Sequence, residues 1–365
     1  MRWSRRTRHS GRVHPPDERS PAPPARLADV AAAAGVSPAL VSRVLNGDER
    51  VRAAAGTKRR IIDAAARLGY VPNVAARGLR ASRTGLVGLV VHDLSSPIYL
   101  ELMHGARVEA AARGCFLVLG DIDELVRDEA AYTILVSGRR VDGLIVQGGH
   151  GEFDRRIADI ARSVPTVVVN APASADERPV AHVVLDEAGA TRRLVEHLLT
   201  LGHTRIGLVS GPRDSTTNRL REEGMRGALD DAGLALLDDD LVHGDWSAEA
   251  GRAGLAALVR RWRGGEDRPT ALIAGNAMIA IGILGAAHEH GLQIPQDLSV
   301  AGVHDPWIAE HVVPSLTTVR LPLREMGEIA VRRLLDDPGS VATTTVEEPA
   351  PLLFARSSTA PPQAR

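Results

Sequence analysis

The chain has 365 residues, 44% of them hydrophobic, one cysteine and a formal net charge of −1. That is enough chain for a small and a large domain, each with its own core. The lone Cys115 excludes an intrachain disulfide, and no run reaches the roughly 18 apolar residues of a membrane span. Near-neutrality hides a segregation: residues 1–85 hold 17 Lys+Arg against 6 Asp+Glu, and the remainder 27 against 39. A basic segment before an acidic body suits a polyanion-binding head on a larger body.

Residues 1–24 read as a disordered basic tail, since Pro15, Pro16, Pro21, Pro23 and Pro24 oppose helix. Arg5-Arg6 is followed by polar, Pro-rich sequence rather than an apolar stretch, so export is not expected and the protein is placed in the cytoplasm, at the nucleoid. Residues 27–46 read as two short helices around Gly35-Val36-Ser37. Gly35 can take the left-handed conformation that ends the first helix, Ser37 can cap the second, and Pro38 fits its first position. Val41, Val44 and Leu45 give the second helix an apolar stripe, leaving Ser42, Arg43 and Asn46 on show. This is a helix-turn-helix, whose second helix can enter the major groove of DNA. A third helix is expected over Thr57–Leu68, with Ile61, Ile62, Ala65 and Leu68 facing the first two. Residues 25–70 form this head. Residues 71–84 form a linker in which 73–80 can make a short helix, too short to be stable without a partner.

From Leu86 uniformly apolar strands alternate with amphipathic helices. The strands begin with Leu86–Val91, Phe116–Leu119, Gly143–Gln147 and Thr166–Asn170, and the theme restarts after helix Ala188–Leu201 with Ile206–Ser210. Such alternation predicts parallel sheets covered on both faces. The expected architecture is a small all-α head plus an α/β body, residues 85–360, of two doubly wound parallel-sheet lobes, and 361–365 form a tail. Two such lobes leave a ligand cleft at the carboxyl ends of their strands. Cys115 is expected to be inert core. The sequence carries no Gly-x-Ser-x-Gly elbow, phosphate-binding Walker loop, dinucleotide fingerprint or metal-spaced His/Cys cluster, so an enzyme, a metal site and a cofactor are not expected. His182, His197 and His203 read as structural.

The helix-turn-helix, Gly69-Tyr70-Val71-Pro72-Asn73 and Ala75-Ala76-Arg77-Gly78-Leu79-Arg80 together resemble the lactose-repressor family of bacterial regulators. Further matches include Asp93-Leu94-Ser95-Ser96-Pro97, Arg140-Val141-Asp142-Gly143, Gly244-Asp245-Trp246 and Pro314-Ser315-Leu316-Thr317-Thr318-Val319, so the likeness covers about residues 26–360. It implies a periplasmic-binding-protein-like body whose chain crosses between lobes near residues 185, 317 and 346, and a homodimeric regulator, a repressor, on double-stranded, pseudo-palindromic operator DNA under a carbohydrate-related effector. By position it implies base reading by Ser37, Pro38, Ala39, Ser42 and Arg43, with Asn46 near phosphates. Pro38 and Ala39 cannot donate side-chain hydrogen bonds, which leaves Arg43 to read guanine. Residues 73–80 resemble a hinge helix that folds on DNA. There Leu79 wedges into the minor groove, Asn73 and Ala76 line it, and Arg77 reaches phosphate.

In the body the resemblance implies effector contacts from Asp93, Ile98, Tyr99, Gln147 and Asn170 on one lobe. Ser215, Thr217, Arg221, Trp246, Gly275, Asn276 and His304 would come from the other. Two departures stand out: Gly275-Asn276 where the family has Asn-Asp, and His304 where it has an aspartate. Trp246 could stack on a sugar face and Arg221 fork onto hydroxyls or a carboxylate. An acidic or phosphorylated effector would suit His304 with Arg221; the alternative is a degenerate pocket and effector-independent regulation. In the head, Arg26 stands where the family has a threonine cap.

Overall fold

The computed structural model describes residues 25–45, 48, 50–70, 83–128, 130, 133, 140–149, 152–173, 180–262 and 268–363. The chain divides into two compact units, residues 1–80 and 81–365.

In the first unit, α1 (Leu27–Ala34), α2 (Pro38–Leu45) and α3 (Ala55–Arg67) enclose Val30, Ala31, Ala34, Val41, Ile61, Ala64 and Ala65. Gly35 adopts φ +65°, and the backbone N–H of Leu40 donates to Ser37 Oγ at 3.3 Å. These two local devices set α1 and α2 at 103°, within the range of DNA-binding helix pairs. The side-chain cap missing at Arg26 is partly replaced, because Arg26 N–H donates to Asp29 Oδ2 at 2.7 Å. The third helix begins earlier than expected, and Ile62 and Leu68 are exposed while Ala64 takes the buried place. Ile61, Ala64 and Ala65 share one face at helical spacing, and Ile62 lies off it.

The second unit contains two six-stranded sheets. The first has the order β11-β5-β4-β3-β1-β2 and is parallel throughout: β1 (Leu86–Val91), β2 (Phe116–Asp121), β3 (Gly143–Gln147), β4 (Thr166–Val169), β5 (Ala181–Val184) and β11 (Thr343–Thr345). The second has the order β12-β10-β9-β8-β6-β7, with β6 (Ile206–Ser210), β7 (Leu241–His243), β8 (Ala271–Ala274), β9 (Ser299–Val303), β10 (Thr317–Arg320) and β12 (Leu352–Phe354). Here only the β10–β12 pair is antiparallel. The chain changes sheets between β5 and β6, between β10 and β11, and between β11 and β12.

The helices are α4 (Leu100–Ala112), α5 (Ile122–Arg127), α6 (Glu152–Ser163), α7 (Glu187–Thr200), α8 (Thr216–Asp231), α9 (Ala248–Trp262), α10 (Ala277–Glu289) and α11 (Leu323–Asp336). Three helix pairs approach so closely that only glycine fits between them. A Cβ on Gly105 of α4 would lie 2.0 Å from the Arg324 carbonyl oxygen of α11. One on Gly224 of α8 would lie 2.2 Å from that of Ala188 on α7, and one on Gly282 of α10 1.8 Å from that of Ala248 on α9. Helix α11 and the short strands β5, β10, β11 and β12 are not among the elements expected from sequence. The helix expected at Glu129–Ser137 lies largely outside the described residues.

Strand β2 departs from the buried-strand expectation. It is a sheet edge, with Phe116 75% exposed and Val118 and Leu119 also exposed. Cys115 is half-buried, its thiol donates weakly to the Arg113 carbonyl, and burial raises its pKa. His182 Nδ1 meets the Ala171 carbonyl, His197 Nε2 meets Thr359 Oγ1, and His203 bridges Thr270 Oγ1 and the Ala360 carbonyl, all at 2.8–3.0 Å. Asp142, from the Arg-Val-Asp-Gly motif, anchors the chain where it enters β1: it accepts from the backbone N–H and hydroxyl of Thr84 and from Gly85 N–H.

Candidate functional site

In the head, Ser37, Pro38 and Ala39 begin α2 exposed, Ser42 is partly exposed and Arg43 is exposed. The same helix buries Val41, so periodicity separates its packing face from its presented face. Arg43 Nε donates to Asp48 Oδ2 at 3.1 Å, and Asp48 Oδ1 accepts from Arg50 N–H at 2.9 Å. The Arg43 hydrogen bond holds the Asp48 carboxyl below its usual range. The guanidinium is therefore steered by a carboxylate that the sequence reading does not single out. Asn46, Asn73, Ala76, Arg77 and Leu79 lie outside the described residues.

In the body, β1, β3, β4, β6, β8 and β9 deliver their carboxyl ends to one cleft. Its lining takes Ile98, Tyr99, Gln147 and Asn170 from the first lobe. Ser215, Thr217, Arg221, Trp246, Asn276 and His304 come from the second. Leu102, Leu323 and Met326 complete the wall, unforeseen because they read as ordinary helix apolar positions. Asp93 and Gly275 are not in the lining. Asp93 is exposed and accepts from the backbone N–H and hydroxyl of Ser95 at 2.8 and 2.6 Å, which closes its own turn. Gly275 lies beneath Trp246: a Cβ there would come within 3.3 Å of the indole and of the Gly211 nitrogen. The cleft leaves about 30 Å³ of open space, room for a water or two and far below the several hundred Å³ of an occupied ligand site.

Several polar groups are committed to the protein. Ser215 caps α8 by accepting from Asn218 N–H at 3.4 Å, and Asn276 caps α10 by accepting from Ile279 N–H at 2.8 Å while its Nδ2 donates to the Trp246 carbonyl. Gln147 Nε2 donates to Tyr99 Oη at 2.9 Å and Gln147 Oε1 accepts from His92 N–H at 3.0 Å. Burial pushes the Tyr99 phenol up to about 12, against the opposing effect of Gln147, so it stays protonated. Asn170 holds φ +64°, and its Nδ2 lies 3.4 Å from Thr217 Oγ1, which in turn donates to the Asn170 carbonyl at 3.1 Å. This pair bridges the two lobes across the cleft.

Arg221 is the centre of the site, and the fork expected to meet hydroxyls or a carboxylate of the effector is held by groups of the protein itself. Nε donates to Glu187 Oε2 at 2.8 Å, Nη1 to the Gly275 carbonyl at 2.5 Å and Nη2 to His304 Nε2 at 2.8 Å. Arg221 and Glu187 are each about 97% buried, and the guanidinium carbon stands 5.3 Å from the Trp246 ring centroid. His304, at φ +69°, cannot act with Arg221 as a second cation. Burial, and then the neighbouring Arg221 charge, hold its pKa well below the usual value. Because Nε2 accepts from Arg221, the ring proton sits on Nδ1. That atom is buried and has no partner among the described residues; the same holds for Asn170 Oδ1 and Glu187 Oε1. Glu187 is the residue that sequence reasoning misses. It follows Asp186 at a helix start, where acids are common, and nothing local pairs it with an arginine 34 positions on.

Asp305, which follows His304, points into a different network. It accepts from Thr318 Oγ1 at 2.6 Å, Arg320 at 2.6 Å and Arg356 at 2.7 Å. Burial alone would raise its carboxyl, but these hydrogen bonds outweigh it and hold the pKa low. The network ties β9, β10 and the chain after β12 behind the cleft and fixes the turn that carries His304.

A helix-turn-helix unit joined to a two-lobed body with a cleft at its strand ends defines the class: a DNA-binding regulator with a periplasmic-binding-protein-like module. Residues 26–73 match the model of bacterial regulatory proteins of the lacI family, and residues 195–359 match that of a periplasmic binding protein-like domain. The chain is 31% identical over 307 residues to catabolite control protein A of Priestia megaterium (84% of this chain, 90% of that one). It is 34% identical over 317 residues to the ribose operon repressor of Escherichia coli (85% and 92%). Among solved structures, the lac repressor dimer bound to operator and the anti-inducer ONPF superposes with a TM-score of 0.77 at 28% identity, covering 93% of this chain and all of that one. The chain belongs to the lacI family, and it is a DNA-binding transcriptional regulator rather than an enzyme.

Proposed function

We propose that this protein is a repressor that binds a pseudo-palindromic operator as a homodimer and is controlled by a small, hydroxyl-bearing, sugar-like effector in the interlobe cleft. The observation that carries the effector reading is a pair of buried atoms in the lining with no partner among the described residues, the His304 Nδ1 donor and the Asn170 Oδ1 acceptor. Leaving such groups unpaired costs about 1–3 kcal/mol each, and a hydroxylated ligand can serve both. The solved relatives include a cellobiose complex of the regulator CelR, 28% identical to this chain. The nearly closed cleft must open to admit such a ligand. Ligand that binds one lobe arrangement more tightly shifts the lobes, and through residues 73–80 shifts operator affinity.

In this reading Ser37, Pro38, Ala39, Ser42 and Arg43 meet the bases, with Arg43 on guanine; Asn46 and Arg77 reach phosphates, and Leu79 wedges the minor groove beside Asn73 and Ala76. Two heads are needed for a two-fold operator. The exposed apolar edge of β2, with Phe116, Val118 and Leu119, supports a second copy as the covering partner. The protein acts in the cytoplasm on the nucleoid. The filled cleft favours one competing reading, regulation without an effector. Fluorescence anisotropy on a palindromic site from the gene's own upstream region, titrated with neutral, acidic and phosphorylated sugars, decides between them. A sugar-dependent change in affinity supports effector control; an operator affinity indifferent to every sugar supports the competing reading.

A further inference from the structure

We propose that Glu187 is the resident counter-ion of Arg221 and thereby sets the ligand class of the cleft, excluding anions and admitting uncharged polyhydroxy ligands. The inference deepens the effector reading above and rests on it. An arginine in a ligand cleft ordinarily offers a planar fork to carboxylate or phosphate. Here one edge of that fork is held by Glu187 at 2.8 Å inside the protein. Nη1 donates to the Gly275 carbonyl and Nη2 to His304, and one face of the guanidinium lies toward Trp246.

The charge balance follows from these contacts. The pair of Arg221 and Glu187 is neutral, and His304 adds no charge because its Nε2 already accepts from Arg221. An incoming carboxylate or phosphate would meet Glu187 across the guanidinium while being drawn to a cation already neutralised. Glu187 Oε1, which has no partner among the described residues, adds an acceptor that a second anion cannot satisfy. Ligand hydroxyls can donate to Asn170 Oδ1 and accept from His304 Nδ1–H without bringing charge into the buried site.

The test uses the full chain and isothermal titration at constant ionic strength, with inorganic phosphate and glucuronate as probes. The wild type should bind neither at up to about 10 mM. Glu187→Gln keeps the size and one acceptor for Arg221 but removes the charge, and should gain affinity for both anions by about a hundredfold, the effect of a unit charge some 5 Å away at an effective dielectric of ~20. The double variant Glu187→Gln/Arg221→Met should lose that gain. A Glu187→Gln protein that binds the anions no better overturns the proposal. If Glu187→Gln does not fold, the wild type decides: anion binding there that disappears in Arg221→Met overturns the proposal, and its absence supports it. Operator release by a neutral sugar without anion gain in Glu187→Gln would sink the counter-ion proposal alone. Arg221-dependent anion gain that leaves operator binding unchanged, with every sugar inert, would sink the effector reading alone.

Discussion

Gly224→Ala probes how the cleft is held together. Gly224 lies on α8, one turn after Arg221, at the crossing with α7, the helix that begins at Glu187. A Cβ at 224 would stand 2.2 Å from the Ala188 carbonyl oxygen and 2.7 Å from its carbonyl carbon and Cα. These are backbone atoms, so the helices must part by about an ångström. Overpacking of this kind costs about 1–3 kcal/mol, and the rigid neighbour puts this case in the upper part of that range. Alanine returns about 1 kcal/mol of helix propensity. The net loss of about 1–2 kcal/mol lowers Tm by about 2–8 °C in a domain of this size. Gly227→Ala, three residues further along α8, is the control: its Cβ would meet only the flexible Arg192 guanidinium at 3.0 Å, so the propensity gain should prevail and Tm should rise. Thermal unfolding followed by circular dichroism compares the two. Equal stabilisation by both substitutions would refute the reasoning, since backbone contact would then not limit the α7–α8 approach. Parting the helices also stretches the Glu187–Arg221 contact, so Gly224→Ala should weaken any effector response.

Other expectations follow from the same geometry. Arg43→Met should lower operator affinity by about 1–3 kcal/mol and relax discrimination at one base pair; a uniform loss on all sequences would make Arg43 a phosphate contact instead. Leu79→Ala should weaken specific binding and reduce DNA bending in a circular-permutation gel shift, and unchanged affinity would remove the wedge. Phe116→Asp should shift sedimentation toward monomer if β2 is covered by a second copy; an unaltered dimer would place the interface elsewhere. His304, His203 and His197 all have pKa values lowered by burial. The unfolded chain therefore takes up these protons first, so their contribution is complete above about pH 6.5 and is lost as pH falls below it. Urea unfolding at about pH 7.5 and about pH 5.5 should show the loss. A flat profile would contradict buried neutral histidines, because the lowered carboxyls of Asp305 and Asp48 act only below their usual value near 3.8.

The family and the head are legible in sequence because local rules govern them. Gly35, Ser37 and Pro38 specify the turn between two helices, and helical spacing alone sorts Val41 from Arg43. The alternation of apolar strands and amphipathic helices likewise announces two doubly wound lobes with a cleft at their strand ends. Residues at those ends, such as Gln147, Asn170 and His304, are named by the resemblance to the family.

Which of their atoms are free is a different matter, decided by contacts between residues far apart in the chain. Arg221 reads as a free fork for hydroxyls or a carboxylate until Glu187, 34 residues earlier, is found against it. Asp93 reads as a ligand until it is seen bonded to its own turn. Gly224 is a space required by the backbone of a neighbouring helix. The exposed edge of β2 reads as core because hydropathy records a side chain's character and not whether its sheet continues past it. Sequence by itself determines that this chain is a lacI-family DNA reader with a two-lobed body. Only the tertiary structure decides that its central arginine is already neutralised, because charge cancellation depends on distance through space and not along the chain.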